Sequence, residues 1–543
     1  MKRKTLTTAV MAGLTGMAGM ISVANAVNVN PDGLGQVLLY PYYTARGGND
    51  TLISIVNTTT AGKAVKIRFI EALNSREVLD FNIYMSPFDV WTAAITDLDA
   101  AGLGEGPGMI TADTTCTAPY IFGDQEGVQE FLDFQYNAEP VDTNGDGTED
   151  FAGTIDGGPT GIERAASGYI EIIEMGTILA DSEVDVASTH EDGTPPGCDF
   201  LVDLWRTPPA GTTPAEGELG WWRVGDPTFG FDTETGASGG LFGAGSIINV
   251  PEGTMISYNA TAIDAFWTAG QTNHTDPGNL LPSLLSGDND RSNVFVNGTV
   301  ESIDWTPGTA LALNATLTLA ELMNEYTLNP VITARTEWVL TAPTKRFHVD
   351  AAPGGFLNEG DEPIPPFTDT WTVEAPGACD QQTFQFWDRE EGVPGEDTPP
   401  PGDVPVSPVA PPVPGQEDPG FVLCREANVI RFNNDGTLPE QTEILKEPLR
   451  LDGEGEVDFL SYTNLTLPAE FISGWVRFDF TGFESVAGTP VNGTNDTVVG
   501  LPLIGFSANT VTNGTLAGGV LANYGGTFQH RGTRQSTVGE TIE

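Results

Sequence analysis

The strongest chemical signal in the sequence lies in nine consecutive residues, 142 to 150. They read Asp-Thr-Asn-Gly-Asp-Gly-Thr-Glu-Asp, so oxygen-bearing side chains alternate with small residues. Calcium prefers six to eight oxygen ligands, and this spacing lets side chains converge while the sixth residue, a glycine, permits a sharp turn. The sequence therefore predicts a calcium site with ligands from Asp142, Asn144, Asp146, the backbone carbonyl of Thr148, and Asp150.

This segment resembles the calcium loops of EF-hands, dockerins and thrombospondin type 3 repeats, over these nine residues only. At the twelfth loop position Gly153 replaces the bidentate acid of the EF-hand, so Asp156 or a ligand from elsewhere would have to substitute. Flanking helices are not expected, because Glu139-Pro140 precedes the loop. The resemblance implies a structural site of about 10⁻⁴ to 10⁻³ M affinity rather than a switch. A solvated Asp/Asn/Gly turn is the alternative.

Patterns for nucleophilic or metal catalysis are weak. Residues 236–240 match G-x-S-x-G around Ser238, but Thr233-Glu234-Thr235 precedes them where a nucleophile elbow needs a buried strand. The four histidines, at 190, 274, 348 and 530, are far apart and form no H-E-x-x-H motif. A glycosidase carboxylate pair is neither excluded nor located, because it requires a spatial separation that sequence spacing does not supply. We expect no catalytic residue and no enzyme.

The chain contains ten tryptophans, among them Trp221, Trp222, Trp387 and Trp475. Buried aromatic side chains commonly dominate β-sandwich cores, so most of these are expected inside. Any that lie on the surface would offer a flat face on which sugar rings stack.

Four cysteines, at 116, 198, 379 and 424, favour two disulfide bonds in an oxidising compartment. Three pairings are open, and we expect Cys116 with Cys198 and Cys379 with Cys424 because they lie in pairs along the chain. Each bond would then close a long polar insertion, a gain of roughly 4 kcal/mol in the chain-entropy model.

The composition excludes several kinds of partner. With 23 Lys+Arg against 75 Asp+Glu, the net charge is −52, so nucleic acid and anionic membrane surfaces would be repelled. Only six of the bases are lysine. Such a surface suits a saline, halophilic habitat, or supplies carboxylates for divalent cations, and both interpretations can hold.

The first residues predict export. Lys2, Arg3 and Lys4 precede an apolar stretch from Leu6 to Val23 and an A-x-A site, so residues 1–26 are expected to be a secretory signal peptide of a bacterial protein. The mature chain would then be secreted, at the cell surface or outside the cell, with the periplasm as the alternative. No later apolar stretch is long enough for a membrane-spanning helix.

Alternating apolar and polar residues predict an all-β fold of antiparallel sandwiches, Ig-like or jelly-roll-like, with few short helices. The clearest strands are 36–43, 51–56, 64–70 and 77–85, each with one buried and one solvated face. We expect three domains after the signal peptide, each β-rich. They span 27–200 with the acidic calcium-loop insertion, 201–365 with one short helix, and 366–543 with a proline-rich insertion at 394–419.

Local signals predict two helices and several turns. Thr318 and Glu321 form a capping box for a helix over 319–326, and Ser86-Pro87 is typical of a second short helix. Asn-Gly and Asp-Gly pairs predict two-residue hairpin turns. These pairs lie at 297–298, 435–436, 492–493 and 513–514.

Three functions follow as hypotheses. The first is a non-enzymatic structural protein of the cell surface, stabilised by calcium and assembling with itself or with other surface components. In composition alone it resembles surface-layer proteins, which tend to be acidic, poor in cysteine and lysine, and dependent on calcium. The second is an extracellular adhesin or a glycan- or protein-binding module, which would act through its loops. A secreted carboxylate-based hydrolase is the least favoured.

Overall fold

A computed structural model gives the fold. It describes residues 26–137, 156–225, 234–296, 298–306, 308–351, 357–358, 360–372, 377–390, 421–451, 459–490, 496–515, 519 and 521–538. These residues form several antiparallel sheets with few helices, which confirms the all-β prediction. None of the helices in these ranges is long and apolar enough to cross a membrane.

The described residues before 265 form fourteen strands. They are β1 (Asn28–Val29), β2 (Val37–Thr44), β3 (Asn49–Asn57), β4 (Lys63–Glu71), β5 (Glu77–Met85), β6 (Val90–Asp97), β7 (Pro107–Ile110), β8 (Cys116–Ala118), β9 (Val128–Glu130), β10 (Ser167–Ile178), β11 (Glu234–Thr235), β12 (Leu241–Asn249), β13 (Thr254–Asn259) and β14 (Thr261–Asp264). One sheet has the order β1-β14-β2-β10-β4-β5-β8, with β11 also paired to β10, and a second has the order β13-β12-β3-β6-β7-β9. All these pairs are antiparallel.

The later strands form two further sheets and several short ladders. They are β15 (Arg291–Val296), β16 (Thr299–Asp304), β17 (Thr318–Leu319), β18 (Glu321–Thr327), β19 (Ala334–Thr341), β20 (Asp380–Asp388), β21 (Phe421–Leu423), β22 (Ala427–Asn433), β23 (Arg450–Leu451), β24 (Phe459–Leu460), β25 (Tyr462–Thr466), β26 (Ser473–Asp479), β27 (Thr489–Pro490), β28 (Asp496–Val499), β29 (Leu501–Pro502), β30 (Ile504–Thr515), β31 (Leu521–Gln529), β32 (Arg531–Thr533) and β33 (Gln535–Val538). The two five-stranded sheets have the orders β21-β20-β26-β18-β32 and β25-β22-β19-β30-β31. Only β22 and β25 pair in parallel among these described strands.

The helical segments are short. They are α1 (Leu98–Ala101), α2 (Ile121–Asp124), α3 (Glu183–Ser188), α4 (Cys198–Trp205), α5 (Thr309–Leu317) and α6 (Lys345–Val349), with 3₁₀ turns at Ile162–Ala166 and Pro330–Ile332 and a π-helical turn at Trp221–Gly225.

The sheets share cores across the length of the chain. Val65, Ile67 and Phe69 of β4 enter the core between the eight-stranded and six-stranded sheets, as their alternation predicts. That core also receives Val339 of β19, whereas its neighbour Trp338 enters the core between the two five-stranded sheets. The β19 sheet is therefore a central layer, packed on both faces.

The sheets cross both expected domain bounds, since β12 pairs with β3 although it follows residue 200, and β19 pairs with β22 and β30 although it precedes residue 366. The division into three domains stays a prediction.

The predicted solvated face of β4 and β5 is buried instead. Lys66 contacts Asp80 at 3.0 Å and donates to the carbonyl of Asp276 at 2.7 Å, and the Asn82 side chain donates to the carbonyl of Thr275. A segment distant in sequence thus covers the polar face. A buried charge is costly unless it is paired, and here each cation of β4 contacts a carboxylate.

The remaining cations of β4 follow the same rule. Lys63 lies 2.7 Å from Glu174, and Arg68 contacts Glu77 at 2.6 Å and also Glu171. Burial raises the pKa of Glu77 to about 8, although Arg68 opposes the rise.

The helix predicted over 319–326 is wrong. The helix in this region is α5, which ends one residue before Thr318, and the predicted segment forms β17 and β18. The Thr318 hydroxyl donates to the carbonyl of Asn314 at 2.7 Å, so it closes α5 rather than opening a helix. Pairing of β18 with β26 and burial of Leu322 and Tyr326 outweigh the local capping pattern.

The second predicted helix and part of the turn prediction are also wrong. At Ser86-Pro87 the chain makes a turn, in which Phe88 has a φ of 59°. Strands β15 and β16 do form a hairpin with Val296 opposite Thr299, as predicted for the pair at 297–298, of which Asn297 lies outside the described residues. Gly514 instead lies at a bulge within β30, so it makes no turn between strands. Gly436 follows β22, but β22 pairs with β19 and β25 and not with β23, the next strand, so the pair at 435–436 does not connect a hairpin. The pair at 492–493 lies outside the described residues.

Both expected disulfide bonds are present. Cys116 pairs with Cys198, and Cys379 pairs with Cys424. Cys116 begins β8 and Cys198 begins α4, so the first bond attaches that helix to the edge of the eight-stranded sheet.

Removing one buried cation should destabilise the fold strongly. Arg164 is buried and contacts Glu71 at 2.9 Å and Asp156 at 2.5 Å. Because Arg164→Met leaves both carboxylates buried without this cation, we expect a loss of about 3 to 5 kcal/mol. Urea unfolding of residues 27–543 measures it.

Arg206→Met is the matched control, because Arg206 pairs with Asp203 at the surface and its side chain is 58% exposed. Its cost should stay below about 1 kcal/mol. Equal losses in the two variants would contradict the importance of the buried pairs.

Candidate functional site

The predicted calcium ligands Asp142, Asn144, Asp146, Thr148 and Asp150 lie outside the described residues, as does Gly153. Asp156, the expected substitute ligand, is described and serves the fold. Both of its carboxylate oxygens accept from Arg164, and Asn74 and Arg76 also donate to one of them. Although burial opposes the shift, the charges of Arg164 and Arg76 hold the pKa of Asp156 below its usual range.

Because guanidinium groups engage the oxygens of Asp156, the structure favours the other alternative, in which a ligand from elsewhere completes the site. Elsewhere in the described ranges, no group of three or more His, Cys, Asp or Glu side chains is arranged to hold a metal ion. The calcium site itself stays a prediction.

Ser238 is an exposed residue beside a buried ion pair of Lys63 and Glu174. It lies between β11 and β12, so no helix follows it as a nucleophile elbow requires. Lys63 donates to its hydroxyl at 2.5 Å, and Glu174 accepts from Lys63 and from the Ser238 amide. The Thr177 hydroxyl lies 2.9 Å from the same Ser238 hydroxyl, so two side chains contact it.

A second serine cluster was not evident from sequence. Ser86 lies 2.9 Å from Nδ1 of His190, and an oxygen of Asp89 lies 3.9 Å from the same nitrogen. In a catalytic triad the serine and the acid contact opposite ring nitrogens. This arrangement therefore does not relay a proton, and it fixes the turn at 86–89.

The other three histidines are held in the interior. Burial lowers the pKa of His274 to about 3 and the pKa values of His348 and His530 to about 4. All three are therefore neutral at pH 7. They accept or donate hydrogen bonds within the fold, as His274 does with Tyr84 at 2.8 Å.

The tryptophans divide between core and surface. Trp222 is fully buried, packed against Trp205 and Tyr84. Trp475 is 36% exposed, and its ring stacks on Trp387 with centroids 4.1 Å apart and planes 12° apart. The two residues are direct cross-strand partners on β26 and β20.

Strand register places polar groups beside this pair. Glu325 of β18 lies opposite Trp475, and Met323 lies opposite both Arg477 and Arg531. Arg477 pairs with Glu321 at 3.3 Å and lies 5.6 Å from the ring centroid of Trp387. The outer face of this sheet therefore carries aromatic and charged side chains in neighbouring rows.

A cleft of about 320 Å³ opens next to Trp475. It is lined by Met323, Asn324, Glu325, Trp475, Phe528, Gln529 and Arg531. Phe528 is 54% exposed, and Glu325 and Arg531 are also exposed. We call this site the tryptophan cleft.

Asn324 fixes the wall of the cleft. Its side-chain amide donates to the carbonyl of Phe528 at 3.0 Å and contacts Nδ1 of His530 at 3.0 Å. Because that amide is a donor, Nδ1 accepts, and Nε2 donates to the carbonyl of Val339. Neutral His530 thus connects the end of β31 to β19, which positions Phe528 across from Trp475.

No known protein family matches the sequence, and comparisons with curated proteins and with solved structures give no significant match. The site must therefore be interpreted from its own chemistry.

The cluster around Ser238 generates a direct prediction. We expect a fluorophosphonate probe to leave Ser238 unlabelled from pH 6 to 9, because its hydroxyl contacts Lys63 and Thr177 and the helix of a nucleophile elbow does not follow it. Mass spectrometry of the treated chain measures labelling, with a serine hydrolase as the positive control. Stoichiometric modification of Ser238 would show an activated nucleophile.

Proposed function

We propose that this chain is a secreted, non-enzymatic structural protein of the cell surface, stabilised by calcium and able to assemble with itself. The observation that carries the proposal is the distribution of charge. Among the residues whose burial the structure describes, eight of the 20 basic residues after residue 26 are buried, but only ten of 52 acids are. The ratio of acidic to basic residues is therefore higher at the surface than among these described residues as a whole.

Export is supported by two kinds of evidence. The first residues have the pattern of a signal peptide, and the two disulfide bonds suit an oxidising compartment. A strongly hydrated, acidic surface also suits a saline exterior.

Self-assembly of such a chain requires a counterion. Two surfaces rich in carboxylates repel each other, and calcium can coordinate oxygens from both. Sodium screens the repulsion without forming such bridges, so the two ions should act differently.

Sedimentation velocity of residues 27–543 tests this assembly. We expect large species in millimolar calcium and a monomer in chelator, with the distribution returning to monomer when chelator is added to the assembled sample. Sodium chloride at matched ionic strength is the control. Assembly that is the same in sodium and calcium would contradict calcium bridging.

The loop at 142–150 provides a separate test. Asp146→Ala removes one predicted ligand, so we expect a lower melting temperature than wild type in calcium and the same melting temperature in chelator. Differential scanning calorimetry across a calcium titration measures both. If the two proteins melt alike at every calcium concentration, the loop is not a site.

A second candidate function is an extracellular binding module. The stack of half-buried Trp387 and exposed Trp475 favours it, because large aromatic surfaces left in contact with water are typical of binding sites.

A further inference from the structure

We propose that the tryptophan cleft binds a neutral carbohydrate, with a pyranose ring stacked on Trp475 and its hydroxyl groups bound by Glu325 and Arg531. The proposal rests on the second candidate function, the binding module, and is independent of calcium-driven assembly.

The first argument is the shape of the site. The cleft of about 320 Å³ lies at the lower end of the range typical of small-ligand sites. Two aromatic side chains line it, Trp475 from β26 and Phe528 from β31, and both are substantially exposed. The apolar C–H faces of a sugar ring match such aromatic walls.

The second argument is preorganisation. The Trp475 ring is supported from one side by Trp387, so its orientation is set before a ligand arrives. Asn324 and His530 hold the backbone at Phe528. A site that is ordered in advance loses less conformational entropy on binding.

The third argument is charge. Glu325 and Arg531 together give the rim one negative and one positive group, although the chain as a whole carries −52. A balanced rim favours neither an anion nor a cation. A carboxylate and a guanidinium bind hydroxyl groups as acceptor and donor, which is the pattern that a polyhydroxylated neutral ligand needs.

The neighbouring strand extends the aromatic surface. Tyr524 is 63% exposed and lies on the same side of β31 as Phe528, four residues away. At the rise of a β-strand this is about 13 Å. A space between them is open, because Gly526 has no neighbour near its missing side chain. The surface therefore suits an oligosaccharide longer than one ring.

Fluorescence titration of residues 27–543 in chelator tests the site. The probes are the neutral hexasaccharides cellohexaose, mannohexaose, chitohexaose and maltohexaose. We expect saturable quenching by at least one of them, and we expect Trp475→Ala and Phe528→Ala each to weaken binding about tenfold, equal to about 1.4 kcal/mol.

Matched variants separate binding from folding. Phe88→Ala removes an equally exposed phenylalanine away from the cleft and should leave affinity unchanged. Glu325→Gln keeps the shape of its side chain and should weaken binding several-fold at an unchanged melting temperature. Phe528→Ala provides the test if Trp475→Ala fails to fold, since more than half of the Phe528 side chain is already in water.

Absence of saturable binding to all four hexasaccharides would overturn the proposal, as would binding that survives both Trp475→Ala and Phe528→Ala. Capture of a protein partner through Trp475, with no sugar bound, would also overturn it. Sugar binding in chelator by a chain that never assembles in calcium would support the cleft and contradict the structural role, so the two proposals fail separately.

Discussion

The fold depends on the pairing of buried charges within its largest sheet. The cations of β4 contact carboxylates of β5 and β10, and Arg164 contacts Glu71 of β4 and Asp156, all in the interior. An isolated charge there would cost several kcal/mol, so each pair fixes the register of the strands that supply it. Because its charges are paired, the polar face of the sheet can be buried under other segments of the chain.

This arrangement shapes the surface as well as the interior. A large share of the few basic residues is buried in the interior, so carboxylates dominate the surface. Such surfaces repel each other, and the proposed calcium bridges would overcome that repulsion. The tryptophan cleft is different, because there an exposed arginine balances an exposed glutamate beside aromatic rings. Assembly and ligand binding would thus use different parts of the surface.

Much of the first half of the fold could be predicted from the sequence. Strand β5 has the predicted bounds, and β2, β3 and β4 differ by one or two residues at their ends. Period-two alternation is a strong signal when one side of a strand faces a core. It could not show that the charged side is also buried, because the covering residues near Thr275 are about 200 positions away. Likewise, the capping box at Thr318 was overridden by pairing with β26, which only tertiary structure supplies.

The candidate site was only partly predictable. Trp387 and Trp475 stood out by residue type, but their stacking depends on strands that are nearly 90 residues apart. Phe528 and Arg531 carried no signal in the sequence, since their role depends on where β31 ends beside β18. The motif at Ser238 is weak because of its flanking residues, but the contact of its hydroxyl with Lys63 could not be predicted from spacing.

Calcium-dependent assembly is tested most directly by electron microscopy of residues 27–543, imaged in millimolar calcium and in chelator. We expect ordered sheets or fibres in calcium and single particles in chelator. Single particles under both conditions would contradict a self-assembling structural role.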